Sequence, residues 1–133
     1  MPLPLTPRLR LKLADTVAMG PGKAQLLALI DDTHSISAAA RQMGMSYRRA
    51  WLLVDTMNQS FRQPLVVTAT GGRRGGGASL SDTGHQVLTL YRQYEARLRQ
   101  SPELDQLQQL CRDTDASDGP ERQPTPPETG ADN

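Results

Sequence analysis

The 133-residue sequence predicts a mainly α-helical chain with one small β hairpin, an α+β fold. Three observations carry that prediction. Five stretches combine helical spacing of apolar residues with Ser or Pro at their starts. Leu65–Thr70 is rich in β-branched residues and is followed by a glycine-rich segment and a short return. Arg8–Leu13 alternates cation and leucine with period two.

In Arg8–Leu13 the alternation puts Leu9, Leu11 and Leu13 on one face, a half-buried strand. The exposed cations mark it as an edge strand. Met19-Gly20-Pro21-Gly22 reads as a turn, and a helix is expected from about Pro21 to Thr33, with Pro at its first position. Leu26, Leu27 and Ile30 should face the core. Ser37 is the expected cap of a second helix, Ala38 to about Met43. Its alanines form helix readily and are small enough for close crossing. Gly44 ends this helix and supplies a tight turn. Ser46 caps a third helix reaching roughly Ser60. After Leu65–Thr70, residues 71–77 suit no regular element, and Ala78–Leu80 returns as a short strand. Ser81 or Asp82 caps a long helix to about Gln100. Ser101-Pro102-Glu103 opens a last helix to about Arg112. Strand, three helices, hairpin, helix, helix is the order of a winged helix-turn-helix with a long C-terminal helix suited to dimerisation.

Residues 1–20 are expected to be part of the same domain as 21–112. Residues 113–133 differ: six acids stand against one base among Pro, Thr and Gly. Such a tail cannot bury enough apolar surface to offset its ordering entropy, and disorder is expected. The whole chain carries +1 and the tail −5, which leaves +6 on residues 1–112. Between Ser35 and Leu80, Arg41, Arg48, Arg49, Arg62, Arg73 and Arg74 face a single acid, Asp55. This distribution suits an anionic partner.

One cysteine, Cys111, excludes an internal disulfide and a Cys-based zinc site, and reads as a small apolar residue. His34 and His85 lie in different elements without a partner at metal spacing, so neither a metal nor a cofactor is expected. No catalytic constellation is visible. No apolar run is long enough for a membrane span, and the N-terminus lacks the order of a signal peptide, so a cytoplasmic protein is expected.

On the third helix Ala50, Val54 and Met57 form the buried stripe, which leaves Tyr47, Arg48 and Arg49 clear of it in the first turn. In a docked helix-turn-helix those first residues meet base edges, where arginine can bond guanine O6 and N7 together. Ser46 and Tyr47 can reach phosphates or bases through their hydroxyls, and the helix starts near Ser37 and Ser46 suit phosphate. Trp51 reads as a packing residue. Gly71-Gly72-Arg73-Arg74-Gly75-Gly76-Gly77 permits close backbone approach to phosphate, and Arg73 and Arg74 can enter a minor groove or neutralise flanking phosphates. Neither nucleotide-binding glycine motif occurs there. On the long helix Val87, Tyr91, Tyr94 and Leu98 follow steps of four, three and four, a coiled-coil-like dimer seam. The alternative is that part of this surface, Leu88 and Leu90 especially, covers the domain's own core. The partners expected are double-stranded DNA and a second copy of the chain. A DNA-architectural protein and a protein-binding module are the rival readings.

SISAAARQMGMSYRRAWLLVDTMN, the Gly71–Gly77 loop and Ala78-Ser79-Leu80-Ser81-Asp82-Thr83-Gly84 together resemble the N-terminal DNA-binding domain of the ModE family, the bacterial molybdate-responsive regulators. The resemblance covers about Arg8 to Leu98; the LysR-type winged helix is a weaker match. It implies a dimeric regulator with Ser46, Tyr47, Arg48 and Arg49 on the recognition helix, Arg73 and Arg74 on the wing, and much of the dimer contact on the long helix. Two positions depart from the family: His34 stands where glycine is usual, and a left-handed turn there would cost roughly 1 kcal/mol; Arg74 also stands where glycine is frequent. Full-length members continue into C-terminal oxyanion-binding modules, whereas this sequence runs into the acidic tail. A stand-alone form is therefore expected, and molybdate sensing does not carry over.

Overall fold

A computed structural model describes residues 3–69 and 77–112. Arg73 and Arg74, and the tail from Asp113, lie outside the described residues. The chain divides into two compact units, Pro7–Gln100 and a second made of Met1–Thr6 with Ser101–Asn133.

The larger unit holds β1 (Leu11–Leu13), β2 (Thr16–Met19), α1 (Pro21–Thr33), α2 (Ile36–Met43), α3 (Tyr47–Ser60), β3 (Val66–Ala69), β4 (Gly77–Leu80) and α4 (Asp82–Arg99). It is mostly helical, with two antiparallel strand pairs, β1–β2 and β3–β4. The α+β expectation stands at that level.

The first pair gives the expected edge strand a partner that the sequence did not mark, in a two-stranded sheet. β1 is shorter than Arg8–Leu13, and Thr16–Met19 folds back on it with Leu13 opposite Thr16. Met19 thus ends a strand instead of opening a turn. Ala14 makes the hairpin turn at φ 57°. Neither glycine nor asparagine marks that turn in the sequence. Leu13 is exposed, so the alternating face is covered only at its Leu9–Leu11 end, where both leucines are half-buried.

α1 starts at Pro21, as expected, and ends on His34, a left-handed residue at φ 59°. The His34 carbonyl accepts from Ala78 N–H at 3.0 Å, which ties the end of α1 to β4. α2 begins two residues earlier than expected. Ser35, not Ser37, is its cap: the Ser35 side chain accepts from Ala38 N–H at 3.0 Å. The left-handed His34 sets the chain direction, so the next residue with extended backbone is the one able to cap. Gly44, at φ 70°, closes α2 through its own N–H and that of Met45.

Leu26, Leu27 and Ile30 of α1, Ala39 and Ala40 of α2, and Ala50 and Met57 of α3 are essentially inaccessible. Leu65, Leu88 and Tyr91 complete the same core. The small alanines let α2 lie close to both neighbouring helices. Lys23 is a buried cation whose Nζ donates to the Val17 carbonyl, and burial pushes its pKa down.

Two polar residues fix the β3–β4 hairpin. The Asn58 side chain accepts from Leu65 and Val66 N–H (2.8 and 3.1 Å) and donates to the Val66 carbonyl (3.1 Å). Ser81 caps α4, accepting from Gly84 N–H at 2.9 Å, and donates to the Pro64 carbonyl at 2.6 Å. Gly84 lies so close to this segment that a Cβ would stand 2.2 Å from the Leu65 carbonyl oxygen.

In the smaller unit, α5 (Pro102–Leu110) is capped by Ser101. Gln108 pairs with the backbone of the N-terminal segment, donating to the Leu3 carbonyl and accepting from Leu5 N–H. No residue of α5 is buried, and Leu107, Leu110 and Cys111 are exposed.

Candidate nucleic-acid interface

α3 starts after the three-residue connection Gly44–Ser46. Ser46 has extended backbone, and its Oγ accepts from Arg49 N–H at 3.1 Å. This fixes the first turn while its side chains stay in solvent. Ala50, Val54 and Met57 turn inward, as the spacing predicts. Tyr47, Arg48 and Arg49 are all exposed. Arg48 and Arg49 border an open surface groove of about 250 Å³ whose other walls are Ser46, Leu52, Leu53 and Thr56.

Arg41 and Arg62 are also exposed. The nearby acid, Asp55, accepts from Gln59 Nε2 at 3.0 Å on its own helix. Ser37 is exposed inside the first turn of α2, its Oγ 3.3 Å from Ser35 Oγ. Its hydroxyl is therefore not committed to capping. Arg73 and Arg74 fall outside the described residues; the strands on either side of them pair in register from Val66–Leu80 to Ala69–Gly77.

Trp51 and Leu52 were not expected in this surface. Trp51 is 45% and Leu52 46% exposed, beside Tyr47 at 54%. The Trp51 packing expectation is therefore corrected. Helical geometry contained the signal: counting about 100° per residue from Ala50, Trp51 and Leu52 lie at about 100° and 200°, off the buried stripe.

The expected seam on α4 divides. Tyr91 is buried, and its hydroxyl donates to the Leu9 carbonyl at 2.6 Å. Burial first, and the neighbouring Glu95 charge second, push its pKa up to about 12. Tyr91 belongs to the unit's own core, because the N-terminal segment before β1 supplies an acceptor for it. Leu88 is buried, as the core-covering alternative has it, whereas Leu90 is 57% exposed and not a core residue. Tyr94 is exposed, while Val87 and Leu98 are half-buried. Leu90 and Tyr94 join Leu11, Met19, Phe61 and Val87 around an apolar groove of about 170 Å³.

His85 Nε2 lies 3.6 Å from Asp31 Oδ1, with both side chains about half exposed. Among the described residues no cluster of His, Cys, Asp and Glu could hold a metal ion. No helix among them is long and apolar enough to cross a membrane.

A capped helix that keeps two arginines and two aromatic rings in solvent has the chemistry of a surface for an anionic partner. Homologues of the chain include bacterial transcriptional regulators and proteins named for molybdenum. It is 41% identical over 83 residues to the DNA-binding transcriptional dual regulator ModE of Escherichia coli, covering 62% of this chain and 32% of that protein. It is 36% identical over 101 residues to the molybdenum transport protein ModE of Azotobacter vinelandii (76% and 37%). It is 46% identical over 78 residues to the molybdenum-pterin-binding protein MopB of Rhodobacter capsulatus (59% and 29%). The chain thus spans about a third of the length of these curated relatives. No family model matches it.

Proposed function

We propose that the chain is a sequence-specific DNA-binding transcriptional regulator of the ModE type, cytoplasmic and without catalytic activity. In this reading α2, the Gly44–Ser46 turn and α3 form the helix-turn-helix, and α3 enters the major groove. The β3–β4 hairpin is the wing, and its tip brings Arg73 and Arg74 to flanking phosphates or the minor groove. Ser37 and Ser46 contribute hydroxyls and helix N-termini toward the backbone. The observation that supports this best is the solvent-facing first turn of α3, with Arg48 and Arg49 clear of the core. The naming of similar proteins as ModE regulators supports it independently. A link to molybdenum or another metal oxyanion follows from the relatives' names alone.

Two copies would bind as a dimer and read two half-sites. Val87, Leu90 and Tyr94 of α4, around the apolar groove, are the proposed seam, with Leu90 in the place first expected for Tyr91; Leu98 extends it.

Selection of bound duplexes from a random pool tests the reading. A regulator should prefer its selected site over unrelated duplex by about 10³-fold or more at matched salt. Equal affinity for all duplexes would instead establish an architectural protein. On the selected site Arg48→Ala should lose about 1–3 kcal/mol and relax preference at one base pair.

A further inference from the structure

The outward face of α3 carries more apolar surface than phosphate binding can use. Tyr47, Trp51 and Leu52 lie within the first two turns, at positions i, i+4 and i+5, each about half exposed. None is needed by the core, which α3 supplies through Ala50, Val54 and Met57. An indole and an isobutyl group offer nothing to a phosphate oxygen beyond one N–H. The apolar group displayed on the major-groove floor is the thymine 5-methyl.

We infer that Trp51 and Leu52 read thymine methyl groups next to the base engaged by Arg48, an inference that rests on the DNA-binding reading proposed above. Leu52 is one turn beyond Arg48 on the same face, so a guanidinium and an apolar tip are presented side by side. Charge commits the patch to a duplex. Arg48 and Arg49 share its first turn and outnumber the one neighbouring acid, Asp55, whose carboxylate accepts from Gln59 on the same helix. A second copy docking the same patch about a two-fold axis would bring arginines against arginines.

Deoxyuridine differs from thymidine by that methyl alone. The test takes a duplex selected by the full chain and replaces its thymines one at a time with deoxyuridine. At one or more positions the wild-type chain should bind about fourfold more weakly, the effect of leaving one methyl-sized group unburied. Leu52→Ala or Trp51→Ala should bind the two duplexes equally at those positions, with an unchanged melting temperature. Trp51 is the sole tryptophan, so in the unmodified chain its emission should shift and become protected from acrylamide when the duplex is added. That readout needs no variant.

Tight, selective binding with no deoxyuridine effect would overturn the inference and leave the DNA-binding reading intact. The same holds if both variants keep the wild-type ratio, or if Leu52→Ala changes the oligomeric state instead. If no duplex is bound or selected, the DNA-binding reading itself fails, and the inference with it.

Discussion

Gly84 is required by a close approach. Its missing side chain lets the first turn of α4 sit against the Leu65 carbonyl, which also accepts from Ser81 N–H at 2.9 Å. Gly84→Ala must move backbone, and should destabilise the chain by about 3 kcal/mol in urea unfolding. Tyr91 gives a second residue-scale expectation. Its folded pKa of about 12 lies above the ordinary value of 10.0. The protonated phenol is the form the fold favours, so its contribution is complete below pH 10 and disappears as pH rises through 12. Melting temperatures measured between pH 9 and 12 should fall more steeply for the native chain than for Tyr91→Phe. A phenolate absorbance titration should show a late-ionising fraction that the same variant lacks.

At the scale of elements, the two serines at the start of α2 make opposite demands. Ser35→Ala removes a side chain that accepts from Ala38 N–H and should cost about 1 kcal/mol. Ser37→Ala leaves that cap in place and should cost only a few tenths. Thermal melts of the two variants decide between the caps directly. The sequence pointed to Ser37 because the Ala38–Ala40 run looked like the helix start; the left-handed His34 that moves the start upstream is invisible to propensity. Other starts were legible. Pro21, Ser46, Ser81 and Ser101 mark α1, α3, α4 and α5 as expected, because each helix opens on a serine cap or a proline. β2 was not legible. Thr16–Met19 is short, and its turn residue Ala14 carries no turn signal.

For the whole molecule, the candidate surface was partly legible. Arg48 and Arg49 could be placed by subtracting the buried stripe of α3 from its first turn. Trp51 could not be placed by residue type alone, since tryptophan usually packs, and only its angle from Ala50 gave it away. Tyr91 was misplaced because a heptad count sees one helix; the Leu9 carbonyl that binds it lies 82 residues away in sequence. The dimer expectation therefore shifts to Leu90 and Tyr94. Leu90→Glu should leave the fold intact, since that side chain is exposed, and should convert the proposed dimer to monomer in sedimentation equilibrium. DNA affinity should fall with it, through loss of the second half-site.

Asn58 joins the last turn of α3 to the first residues of β3 through both ends of one amide group. The angle between α3 and the hairpin base is consequently a property of the free protein. On the proposed reading, whatever these two parts grasp must already lie at the matching separation on the double helix. Orientational freedom between them has been given up during folding, so none of it remains to be lost when the complex forms.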